Sequence, residues 1–214
     1  MTITRFCLVR HGETDWNAAR RLQGHTDIDL NARGLAQAEQ MAQALQKIHF
    51  QFDVLYTSDL QRAAKTAKEI ERLFEKSAIA NSELRERHLG ALQGLTMQDA
   101  PRIEPDLWQS HLKRSLDEEL RGGESINQFS RRIGEALDRI LKQHIGKTIL
   151  IVSHGGALDM MYRLASKQPL DSEKVVVVPN ASLNWISHDG KSWKVDSWAD
   201  TSHLESLALD NLDL

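Results

Sequence analysis

The run Thr148-Ile149-Leu150-Ile151-Val152-Ser153 is apolar and β-branched at consecutive positions. A strand of this composition has to be covered on both faces, the condition met by a parallel sheet between helices. The run stops at His154-Gly155-Gly156, and helical spacing takes over over 155–165. The first residues repeat the scheme. Ile3-Thr4-Arg5-Phe6-Cys7-Leu8-Val9 is strand-like and breaks into Arg10-His11-Gly12-Glu13-Thr14. Two strands therefore each deliver a histidine to a C-terminal strand edge, which is where ligands bind in open α/β sheets.

Strands and helices alternate between these two points. Asn31 is placed to cap a helix whose apolar face is Leu35, Ala38, Met41, Ala42, Leu45 and Ile48. Asp53-Val54-Leu55-Tyr56-Thr57 predicts a second short strand. Asp59 is placed to cap the next helix, with Ala63, Ala67, Ile70 and Phe74 inward. Residues 84–123 lack strong periodicity and contain Pro101, Pro105 and Gly122-Gly123, which predicts loops and short helices. A long amphipathic helix opening at Glu124 or Ser125 carries Ile126, Phe129, Ile133, Leu137, Ile140 and Leu141. Near the end, Asp189-Gly190 between two β-rich runs predicts a hairpin. The strand–helix alternation predicts an α/β fold, a mainly parallel central sheet covered by helices. One domain over residues 1–200 is expected, followed by a C-terminal tail over 201–214.

Composition narrows the function classes. The 214-residue chain has a net charge of −3, so no general nucleic-acid or membrane-binding surface is expected and any basic patch must be local. Cys7 is the single cysteine and reads as core rather than as half of a disulfide. Thr2–Val9 is too short for a signal peptide and no stretch reaches the length of a membrane span, so a cytoplasmic location is expected.

Arg10 beside His11 puts a cation next to a potential nucleophile, an arrangement suited to an anionic substrate such as a phosphate. Gly12 allows a sharp turn and a close approach. Gly155-Gly156 exposes helix N-terminal N–H groups, which also favour an anion. Arg62 is in the first turn of a predicted helix, where its charge opposes the helix dipole, and binding an anion would account for it. In Leu84-Arg85-Glu86-Arg87-His88-Leu89-Gly90, a carboxyl near a cationic site suits a general acid for a leaving alkoxide. Trp185, Trp193 and Trp198 at hairpin spacing read as packing. No His/Cys cluster has metal-ligand spacing, so neither a metal nor a cofactor is expected.

These segments, in this order, resemble the histidine phosphatase superfamily, which includes the cofactor-dependent phosphoglycerate mutases. The likeness runs from the first strand to Asn180-Ala181-Ser182 and rests on Arg-His-Gly-Glu-Thr with Trp16-Asn17, Ser-Asp-Leu-x-Arg, Leu-Arg-Glu, Gly-Gly-Glu-Ser and Ser-His-Gly. It implies a phosphoglycerate mutase-like three-layer sandwich. It also implies that His11 is the nucleophile that becomes phosphohistidine, that Arg10, Arg62 and His154 form a cationic phosphate pocket, and that Glu86 donates a proton. Asn17, Gln23, Gly24 and Gly155 are expected to add phosphate or substrate contacts. A carbonyl at Gly12 would fix the His11 tautomer, and the two arginines would favour its neutral form.

Where the mutases recognise phosphoglycerate the pattern departs. Leu89 stands for their Tyr, Thr96-Met97 for Asn-Lys, and Gly156 for an Asn. The spacing from Glu86 to His154 is short for the mutase insertion, and Lys113 and Arg114 read as solvated on an amphipathic segment. A phosphomonoester hydrolase acting on a small phosphorylated metabolite is the preferred reading. The alternatives are a phosphoglycerate mutase and a catalytically silent regulatory module. A homodimer is left open.

Overall fold

The computed structural model describes residues 2–173 and 176–204. Six strands form one sheet: β1 (Thr4–Arg10), β2 (Val54–Thr57), β3 (Ala78–Ala80), β4 (Thr148–Ser153), β5 (Leu183–His188) and β6 (Trp193–Asp200). Their order is β3-β2-β4-β1-β5-β6. The first four of these are mutually parallel, whereas β5 runs antiparallel to β1 and carries β6 as a hairpin. At the hairpin turn, Gly190 adopts a φ of 94°, left-handed backbone that glycine accepts without strain.

Alternation along the strands divides the core into two layers. Phe6, Leu8, Ile149 and Ile151 face one side, where α6 (Ile126–Gln143) and α7 (Gly155–Ser166) bury Phe129, Ile133, Leu137, Leu158 and Met161. Cys7, Val9, Leu150 and Val152 face the other, against Met41, Ala42 and Leu45 of α2 (Ala32–Lys47) and Ala63, Ala67 and Ile70 of α3 (Gln61–Phe74). The result is a helix–sheet–helix sandwich. Each fully buried aliphatic side chain contributes about 1.5–3 kcal/mol. The central strands are thus held by burial on both faces. Ser125 caps α6 through a reciprocal capping box with Gln128, so the helix opens at Ser125 rather than Glu124.

Two local expectations fail. Leu35 and Ile48 are 48% and 67% exposed, because the buried stripe of α2 is narrower than the periodicity implied. Asp59 does not cap α3; Leu60 holds that position without a side-chain bond, while the Asp59 carboxylate is claimed by Arg85 at 2.6 and 2.7 Å. Residues 84–123 do form short helices, α4 (Ala100–Ile103) and α5 (Pro105–Leu112), around a small cluster of Leu89, Leu92, Leu107, Trp108 and Leu120, and a further short helix, α1 (Asp15–Ala18), follows β1. Trp185, Trp193 and Trp198 pack against the main core. Of the expected tail, Leu204 is buried with the Cys7 layer, and residues 205–214 lie outside the described residues. Among the described residues no helix is long and apolar enough to cross a membrane.

Candidate active site

Register builds the site. β1 and β4 are neighbours with Arg10 opposite Ser153, so the next residue on each strand, His11 and His154, emerges side by side. Their rings lie 5.1 Å apart. β2 flanks β4, and Ser58, just past its end, bonds the Val152 carbonyl at 2.9 Å. α3 then starts close by and brings Arg62 under the same edge.

The His11 ring meets the Gly12 carbonyl through Nδ1 at 2.7 Å. A carbonyl can only accept, so Nδ1 carries the proton and Nε2 keeps its lone pair. Burial, then the charges of Arg62 and Arg10, hold His11 well below the usual imidazole range. The turn that places it is tight: a Cβ on Gly12 would lie 2.3 Å from the Gly34 carbonyl oxygen. The Gly12 N–H donates to the Thr66 hydroxyl at 3.0 Å, and Asn180 donates to the His11 carbonyl at 2.9 Å.

Arg62 spans one side of the site. Its guanidinium donates to the carbonyls of Thr26 and Gly24 at 2.9 and 2.8 Å and, through Nε, to His154 Nδ1 at 3.2 Å. Guanidinium only donates, so His154 Nδ1 is unprotonated and its Nε2–H points to the Ser58 hydroxyl, 2.8 Å away. His154, which the resemblance counts in the cationic pocket, therefore brings no charge of its own in the free protein. Burial, with Arg62 beside it, holds this ring well below its ordinary range as well, and it stands as a neutral group.

A cavity of about 470 Å³ opens in front of these groups. His11, Asn17, Gln23, Gly24, Arg62 and Glu86 line it. Arg10, His154 and Gly155 are not on its wall. Arg10 bonds the Val178 carbonyl at 2.5 Å, and His154 supports Arg62 from behind. The Asn17 amide oxygen accepts from the Thr14 N–H and hydroxyl, both at 3.1 Å, which leaves its NH₂ group as the donor for the cavity. The Glu86 carboxylate is held by two backbone donors, Arg87 N and Gly156 N, both at 2.8 Å. Gly156 is closely fitted to it: a Cβ there would lie 2.2 Å from Oε1.

The segment bearing Glu86 is itself clamped. Arg132 of α6 donates to the carbonyls of Glu83, Arg85 and Glu86 and to both oxygens of Glu124, at 2.7–3.0 Å. Glu124 in turn accepts from the His88 N–H at 2.9 Å, and His25 reaches the Glu86 carbonyl at 2.7 Å. Arg132, Asp159 and His25 carry no sequence signal of their own, and Ser58 only that of the Ser-Asp-Leu-x-Arg motif. Ser58 lies inside the segment that carries Arg62, and the others are brought in by helix packing and loop return. Arg114 overturns its solvated reading: it lines the cavity and bonds Asp159 at 3.2 Å, whereas Lys113 is exposed.

Residues 6–201 match the family model of the histidine phosphatase superfamily (branch 1). The chain is 41% identical over 207 residues to a metal-independent phosphoserine phosphatase of Arabidopsis thaliana, covering 96% of this chain and 85% of that protein. It is 39% identical over 201 residues to phosphoglycerate mutase-like protein 4 of the same plant, covering 92% and 86%. Among solved structures, Bacillus stearothermophilus YhfR superposes with a TM-score of 0.87 at 30% identity, covering 94% of this chain and 99% of that one.

Proposed function

The chain belongs to the histidine phosphatase superfamily, and we propose that it hydrolyses the phosphomonoester of a small metabolite through a phosphohistidine formed on His11. The observation that carries this reading is the tautomer of His11: Nδ1 is committed to Gly12, so Nε2 is the nucleophile, neutral and on the cavity wall. It attacks phosphorus in line, an N–P bond forms and the ester P–O bond breaks. Arg62 and the Asn17 amide, with Arg10 adding its charge from behind, stabilise the equatorial oxygens. Glu86 gives a proton to the leaving oxygen. A phosphate dianion arriving beside it supplies the like charge that favours protonation. Water then attacks the phosphohistidine, its proton returns to Glu86, and inorganic phosphate leaves.

The cavity wall favours water over a second phosphoglycerate as acceptor. Leu89 and Met97 line it where the mutases carry Tyr and Lys, so polar substrate contacts are replaced by apolar ones. Each contact of that kind is worth about 1–3 kcal/mol of discrimination. The similarity to a phosphoserine phosphatase supports the same side.

The test is turnover of p-nitrophenyl phosphate by wild type and His11→Ala. The variant should fold and be inactive, and label trapped from radioactive substrate should be acid-labile and alkali-stable. An acid-stable phosphoenzyme would remove His11 from the role. Interconversion of 2- and 3-phosphoglycerate outpacing hydrolysis would establish the mutase instead, and no turnover of any ester would revive the silent module.

A further inference from the structure

α7 presents Gly156, Asp159 and Met160 to the cavity, the i, i+3, i+4 spacing of one helical face. Gly156 is occupied by Glu86. One turn deeper, Asp159 is 2% exposed, and only one of its two oxygens is accounted for. Oδ2 accepts from Arg163 Nε at 3.0 Å and from Arg114 Nη2 at 3.2 Å. Oδ1 is buried with no hydrogen-bond partner among the described residues. A buried carboxylate oxygen in that state is costly; of the cavity residues, Ile126, Phe129 and Met160 carry no donor, Arg114 already donates to Oδ2, and Arg87 donates to the Glu124 carbonyl.

Resting on the reading of this cavity as the phosphoester site, we infer that Asp159 selects leaving alcohols that carry a second hydroxyl, which donates to Oδ1. A hydroxyl suits the position better than an ammonium. The charge of Asp159 is already opposed by two guanidinium groups, and a third cation in a desolvated pocket would meet net repulsion. A purely alkyl leaving group would leave Oδ1 unsatisfied. Asp159 is three residues beyond Gly156, so the hydroxyl is received about 4.5 Å further along the axis of α7 than the residue that holds the proton donor. The selected substrates are phosphoesters of hydroxylated, polyol-like alcohols, with the second hydroxyl a few carbons from the ester oxygen.

The test uses a ladder of hydroxyalkyl, alkyl, methoxyalkyl and aminoalkyl phosphonates of roughly two to six carbons, a span chosen from the rise of α7. Binding is measured by calorimetry, so it does not depend on catalysis. In wild type, one hydroxyalkyl length should bind about tenfold or more better than the matched alkyl compound, and the amine should gain nothing. In Asp159→Asn, Arg163 and Arg114 both require an acceptor, so the amide oxygen turns to them and its NH₂ takes the place of Oδ1. The hydroxyl-to-methoxy ratio should then fall by about tenfold, because the wall now donates. A flat ladder in wild type, a winning amine, or an unchanged ratio in the variant would overturn the inference. If the variant does not fold, the wild-type ladder decides. Failure to hydrolyse p-nitrophenyl phosphate with the ladder intact would sink the hydrolase reading alone.

Discussion

Replacing Gly156 with Ala separates stability from chemistry within one methyl group. The residue is the second of α7 and its backbone is helical, so alanine is conformationally acceptable and should stabilise by at most about 0.5–1 kcal/mol, the value for a helix interior. For a chain of this size that raises Tm by at most about 1–4 °C. The new Cβ, however, would stand 2.2 Å from Glu86 Oε1, 3.0 Å from Cδ and 3.2 Å from Oε2. Restoring ordinary contact requires the carboxylate to retreat by about 1 Å, and a displacement of that size at a reacting group costs about 100-fold. Glu86 ends a flexible side chain, so it will yield rather than break the helix.

The loss should depend on the leaving group. An alkyl phosphoester needs a proton in the transition state, and its kcat should fall about 10–100-fold, within the range of general acid catalysis. p-Nitrophenolate departs without one, so p-nitrophenyl phosphate should lose no more than about threefold. Kinetics on both esters under conditions where phosphorylation of His11 is rate-limiting, together with a thermal melt, read all three quantities. Equal losses on both esters would refute the acid role of Glu86. A lowered Tm would refute the view that the side chain moves instead of the helix.

Arg62→Lys should lower kcat/KM by at least about tenfold, since an ammonium cannot reproduce the bonds to Gly24, Thr26 and His154 while still facing a phosphoryl oxygen; near-normal kinetics would return Arg62 to a structural role. Ser58→Ala should cost about tenfold in kcat by leaving the buried His154 Nε2–H without its acceptor, and an unchanged kcat would mean that the tautomer of His154 is held by Arg62 alone. In the free protein, the imidazole NMR signals assigned to His11 and His154 should show no titration near pH 6.5, since burial and the arginines hold both neutral. The unfolded chain does take up those protons, so the contribution of both groups to stability is complete above about pH 6.5 and declines as the pH falls below it. A titration midpoint near 6.5 for either ring would overturn the assigned hydrogen-bond directions.

The strand–helix alternation, the parallel centre of the sheet, the closing hairpin and the strand-edge positions of His11 and His154 were all legible in the residues. The reason is that side-chain period and turn chemistry are local: a β-branched run that ends in His-Gly commits its own geometry before any distant contact forms. The neutral His11 also followed locally, because its carbonyl partner is the next residue and one of its two arginines the preceding one. Capping was less secure. Asn31 caps its helix as the sequence implies, whereas Asp59 is drawn off by Arg85, a partner 26 residues away. What only the tertiary structure decided has that character throughout. The charge state of His154 depends on Arg62, 92 residues distant, and the seat of Glu86 on Gly156, 70 residues distant. Arg114, ordinary in its own segment, becomes a cavity residue because α7 offers it Asp159. Residue type names the groups available for chemistry, but protonation and partnership are set by desolvation and by charges a few ångströms away in space, and that proximity arises only when the sheet aligns its strands.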